Sequence, residues 1–73
     1  MAILDVPSPM TGTVKELLVA IGSRVNQGEE ILIIESMKME IPVESPVAGT
    51  LLELVVEPPR QVQEGELLLR LEV

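Results

Sequence analysis

Apolar residues in this chain come in short runs, each closed by Gly, Pro or a charged side chain. The order is Pro-x-x-Gly, a Val/Leu-rich stretch, a polar break, Val-x-x-Gly-Glu, and an aliphatic run ending in Glu, and it occurs twice. Short runs rich in branched residues between turn signals predict strands. No segment has the length and periodicity of a helix.

Displacing the chain against itself by 37 positions sets Val6 on Val43, Ser8-Pro9 on Ser45-Pro46 and Gly12-Thr13 on Gly49-Thr50 without a gap. The match runs on through Glu16-Leu17 with Glu53-Leu54, Val25 with Val62, Gly28-Glu29 with Gly65-Glu66, Leu32 with Leu69 and Glu35 with Glu72. The chain therefore reads as a single domain, 1–73, made of copies at about 6–35 and 43–72 joined by a hairpin tip at 36–39. About four strands per copy predict an all-β fold: a flattened barrel or sandwich of two four-stranded antiparallel sheets with an internal pseudo-twofold repeat.

The copies act as a natural substitution series. Ile31, Leu32 and Ile34 against Leu68, Leu69 and Leu71, Val14 against Leu51, and Val25 against Val62 stay aliphatic and form the expected core. Ile33 against Arg70 marks a position that faces water. Lys15 against Leu52 reads as ordinary surface. Pro58-Pro59 replaces Ile21-Gly22, which stiffens that loop and removes two backbone donors. Gly12, Gly28, Gly49 and Gly65 read as turn residues with permissive backbone angles.

Composition narrows the chemistry. Seventy-three residues lie near the lower limit for a domain without disulfide or metal, so almost every apolar group is needed for one core. Hydrophobic residues make up 47% and aromatics 0%, which leaves an aliphatic core and no ring on which a cofactor could stack. The net charge of −7 opposes nucleic acid and anionic membranes as partners. With no run long enough for a membrane span and no signal-like N-terminus, a soluble, cytoplasmic protein is expected. The absence of Cys and His excludes thiol nucleophiles, imidazole bases and the usual zinc sites. No catalytic residue and no metal site are expected. A small hydrolase would have only Ser or Thr nucleophiles without an imidazole.

One of the two lysines, Lys38, lies between the copies. The runs Ile31–Ile34 and Glu40–Val43 are close enough to form a hairpin with a tight turn centred on Met37-Lys38. Such turns demand positive φ at both central residues and favour Asn-Gly, so Met-Lys breaks the local rule, as functional sites do. A pseudo-twofold would carry Lys38 onto Met1 and just beyond Val73, setting the chain ends opposite the lysine.

The run Glu35-Ser36-Met37-Lys38-Met39-Glu40, after Val25-x-x-Gly28 and before Pro46-x-x-Gly49, resembles the biotinyl attachment domain of biotin-dependent carboxylases, the biotin carboxyl carrier family, over essentially the whole chain. Ser36 stands where that family usually has Ala. The resemblance implies a barrel-sandwich hybrid fold. It further implies that a biotin protein ligase joins biotin to the Lys38 amine, that a biotin carboxylase loads carboxylate, and that a carboxyltransferase unloads it. The resemblance also assigns deprotonation of that amine to the ligase. The domain is then a non-catalytic carrier, expected to be a monomer in isolation. It lacks an upstream Ala/Pro-rich linker and the thumb loop of some family members, which implies a minimal carrier.

The same resemblance gives Met37 and Met39 to ligase recognition, against packing as caps on one end of the barrel. Ser36 and Glu40 join them; Glu40 reads equally well as a solvated strand-edge carboxylate. Glu35 recurs as Glu72, which favours a structural role. The competing cofactor is lipoate on the same lysine, in a 2-oxo-acid dehydrogenase-type system, although lipoyl carriers typically read Asp-Lys-Ala there. An unmodified barrel of the membrane-fusion adaptor type is the structural alternative.

Overall fold

The computed structural model describes residues 2–73 and contains eight strands: β1 (Ile3–Pro7), β2 (Gly12–Leu17), β3 (Arg24–Val25), β4 (Glu30–Ser36), β5 (Met39–Glu44), β6 (Gly49–Leu54), β7 (Arg60–Val62) and β8 (Leu67–Glu72). They form two antiparallel four-stranded sheets, ordered β1-β8-β6-β3 and β5-β4-β2-β7. Neither sheet closes on itself, so the molecule is an open sandwich. Among the described residues there is no helix.

Each sheet draws two strands from each copy of the repeat, so neither copy could bury its apolar side alone. The 37-residue offset maps β1 to β4 onto β5 to β8 and exchanges the two sheets. Fine detail follows the offset. Register shifts between Val14 and Glu16 against β4 and between Leu51 and Glu53 against β8 are equivalent bulges. Gly28 N–H donates to Ser45 O, and Gly65 N–H to Ser8 O. The buried hydroxyls of Ser8 and Ser45 donate to the carbonyls of Met10 and Val47, each at 2.6 Å.

The expected core is the observed one: Val14, Val25, Ile31, Leu32, Ile34, Leu51, Val62, Leu68, Leu69 and Leu71 are all buried, joined by Val6, Val43 and Val56. Pro7 and Pro42 lie in β1 and β5, which are sheet edges, where a residue without an N–H interrupts no ladder. The opposite edges, β3 and β7, are too short to recruit another strand. In the first copy Gly22 N–H donates to Leu51 O; its counterpart, Pro59, has no N–H to give.

The four glycines shared by the two copies, Gly12, Gly28, Gly49 and Gly65, divide into two kinds, which corrects the expectation that all are turn residues. Gly28 and Gly65 have φ of 84° and 87°, as turn glycines do. Gly12 and Gly49 instead open strands β2 and β6, and what they need is closeness. A Cβ on Gly12 would lie 2.6 Å from the Glu35 carbonyl oxygen, and one on Gly49 would lie 2.7 Å from that of Glu72.

Arg70 spans three strands of its sheet, donating to Asp5 on β1 at 3.1 Å and to Glu53 on β6 at 2.5 Å. Its guanidinium pKa is raised, chiefly by the hydrogen bond to Glu53, with desolvation opposing and the charges of Glu53 and Asp5 adding. The pairs are solvent-exposed and contribute little to stability.

Candidate functional site

The tip of the β4–β5 hairpin is a two-residue turn. Ser36 pairs with Met39, leaving Met37 and Lys38 as the central residues, with φ of 52° and 66°. Both values are positive, as a type I′ turn requires, and neither residue is Gly, Asn or Asp. Holding two ordinary side chains in the left-handed region costs on the order of 1–2 kcal/mol each. The flanking strands over-determine the turn: Leu32 stands opposite Val43 and Ile34 opposite Ile41, and Leu32, Ile34 and Val43 are buried.

The side chains at the tip point outward. Met37 is 93% exposed and Met39 64%, so neither methionine caps the sandwich, and packing is excluded as their role in this structure. Lys38 is exposed, and among the described residues no carboxylate lies within ion-pair distance of its amine. Ser36 is half-buried at the end of β4. Glu40 is exposed and stands directly opposite half-buried Glu35. Lys15, which reads from the sequence as plain surface, comes to 3.8 Å from Glu35. The signal for that contact is the bulge in β2, which no single-copy pattern reveals.

The chain ends lie at the other end of the molecule. Ala2 and Val73 exchange backbone hydrogen bonds at 3.2 and 2.9 Å, the twofold counterpart of the Ser36–Met39 pair. The C-terminal ends of β1 and β5 meet at an apolar hollow of about 420 Å³ lined by Val6, Pro7, Pro42 and Val43, among others. Their N-terminal ends, Ile3 and Met39, therefore diverge along the 37 Å long axis. Met1, the sequence partner of Lys38 under the offset, lies outside the described residues.

Chemically the tip offers a primary amine in water as its one strong nucleophile. An acyl group could be joined to it without disturbing the core. The chain has no aromatic ring to stack on a bicyclic cofactor, so the arrangement suits a tethered group rather than a bound one.

Fold and tip together define a small β-sandwich of the kind that presents one lysine on a hairpin. The chain belongs to the biotin/lipoyl family, whose model, described as "Biotin-requiring enzyme", matches residues 4–71. Among curated proteins, the methylmalonyl-CoA carboxyltransferase 1.3S subunit of Propionibacterium freudenreichii subsp. shermanii is 44% identical over 36 residues, covering 49% of this chain and 29% of that protein. A biotinylated protein TB7.3 homolog of Mycobacterium leprae is 41% identical over 39 residues, covering 53% of this chain and 55% of that protein. The aligned part is thus between about a quarter and about half of these relatives' length. Among solved structures, Kluyveromyces lactis urea carboxylase matches with a TM-score of 0.90 at 25% identity, over 99% of this chain and 6% of that one. The lipoyl domain of the 2-oxoglutarate dehydrogenase complex from Azotobacter vinelandii matches with a TM-score of 0.79 at 31% identity, over 99% and 98%.

Proposed function

We propose that this chain is a biotin carboxyl carrier: Lys38 is biotinylated by a biotin protein ligase, and the tethered group carries carboxylate from a biotin carboxylase to a carboxyltransferase. The observation that carries the reading is the exposed Lys38 amine on a strained two-residue turn, at the end of the molecule remote from the paired Ala2 and Val73. Biotin, when bound, supplies a ureido nitrogen that accepts and releases carboxylate. The chain supplies position. A rigid hairpin holds the attachment point clear of the sandwich, so that encounters between separate active sites become tethered ones at high effective concentration. Met37 and Met39 offer the ligase two bare apolar side chains flanking its target, with Ser36 and Glu40 completing the recognised segment.

Lipoate on Lys38 is the second reading, favoured by the likeness to a lipoyl domain over nearly the whole of both chains. The curated relatives favour biotin, since their names describe a carboxyltransferase subunit, a biotin carboxyl carrier protein and biotinylated proteins. The test is a streptavidin blot of the chain produced in a cell with an active biotin ligase. A band for the parent and none for Lys38→Arg is expected; equal labelling of both chains would refute attachment at Lys38.

A further inference from the structure

The duplication provides an internal control for every surface position. Under the 37-residue offset, Arg70 corresponds to Ile33, Asp5 to Pro42 and Glu53 to Glu16. On the β1-β8-β6-β3 sheet these residues form the exposed row in which Arg70 bridges Asp5 and Glu53. On the β5-β4-β2-β7 sheet the equivalent row pairs Pro42 with Ile33 and Ile33 with Glu16, and it contains no cation. Since one sheet is built with the charged row, the fold does not require the apolar one.

The surroundings of Ile33 sharpen the contrast. Glu40 and Glu44 lie two residues to either side of Pro42, on the same face of β5, and Glu35 lies two residues beyond Ile33 on β4. Apart from Lys38 at the turn itself, Lys15 is the cation on strands β2, β4 and β5, and it is already 3.8 Å from Glu35. The result is a small apolar spot, half-buried Ile33 and exposed Pro42, within an acidic rim. It belongs to the two strands that carry the Lys38 turn. Ile33 is three residues from Ser36, roughly 10 Å along the strand, well within the breadth of about 30 Å of the ~800 Å² patch that a protein partner covers on one side of a standard interface.

Resting on the carrier reading above, we propose that the outer face of the β5-β4-β2-β7 sheet is the docking surface for the biotin protein ligase, which meets Ile33 and Pro42 with an apolar contact inside a rim of lysine or arginine. Charge complementarity sets the partner's chemistry: an acidic rim with one compensated cation attracts a basic surface and speeds its approach. On the opposite sheet Arg70 takes the place of Ile33 and bridges Asp5 and Glu53, so the equivalent row there is charged and partly compensated, and the exposed apolar residues of that sheet, Ile3 and Leu52, lie outside it.

The experiment measures kcat and KM for biotinylation of the full chain by a purified biotin protein ligase, with biotin and MgATP, at about 50 and about 300 mM salt, across which charge screening strengthens. The double variant I33R/P42D copies the charged row of the other sheet onto this one, and E16K/E44K reverses the rim at exposed positions. Both are expected to raise KM about tenfold or more with kcat within about twofold, and E16K/E44K to flatten the salt dependence seen in the parent. R70I, which makes the reciprocal change on the opposite sheet, is expected to leave KM within about twofold. Circular dichroism confirms folding of each variant, and the surface pair E16K/E44K decides the matter if I33R/P42D does not fold. A parent-like KM in E16K/E44K, or an equal rise in R70I, overturns the docking face while leaving the carrier reading intact. A parent chain that takes up no biotin overturns both.

Discussion

Gly12 shows how a single residue ties the core to the site. Its Cα lies so close to β4 that a methyl group would meet the Glu35 carbonyl oxygen at 2.6 Å and Ile34 Cγ2 at 2.7 Å. The carbonyl belongs to the β2–β4 ladder and cannot move alone. Gly12→Ala is therefore expected to destabilise the chain by about 1–3 kcal/mol, the usual cost of overpacking, in urea unfolding followed by circular dichroism; an unchanged midpoint would show that the strands part more easily than this close approach implies. The sequence marks Gly12 as special but names the wrong reason, because turn glycines and close-approach glycines look alike until the facing strand is known. Lys38 is legible for a different reason. It stands at the one junction between two copies, and a junction in a repeat is visible without coordinates.

At the scale of the element, the β4–β5 hairpin is where local preference and fold disagree. Positive φ at Met37 and Lys38 is an expectation of turn length alone, and the values of 52° and 66° meet it. The outward direction of both methionines is not readable from the sequence, since Met packs as readily as it protrudes; the strand register decides it. Met37→Asn puts a residue that tolerates the left-handed region at the first turn position. It is expected to stabilise the chain by about 1 kcal/mol, as a rise in the urea midpoint, while leaving Lys38 in place. A fall in stability would mean that Met37 makes contacts in solution that its 93% exposure does not suggest.

For the whole molecule, the offset of 37 residues determines far more than strand count. It exchanges the two sheets, repeats the bulges and buried serines, and sets the Ala2–Val73 pair against the Ser36–Met39 turn. The aliphatic core is legible because burial constrains both copies alike. The difference between the outer faces is legible only in part: Ile33 against Arg70 marks the divergence, but the bridging of Asp5 and Glu53 needs the strand order β1-β8-β6, which no pairwise comparison of copies supplies.

An elongated sandwich with its reactive amine at one end and its chain ends at the other can be tethered without hindering the amine. The most direct test is intact-mass spectrometry with peptide mapping, after separate incubation of the purified chain with a biotin ligase and with a lipoate ligase, each with its cofactor and ATP. A single added biotinyl group mapping to Lys38, with Lys15 unmodified, is the predicted result. Exclusive lipoylation, or biotin distributed over both lysines, would contradict the account.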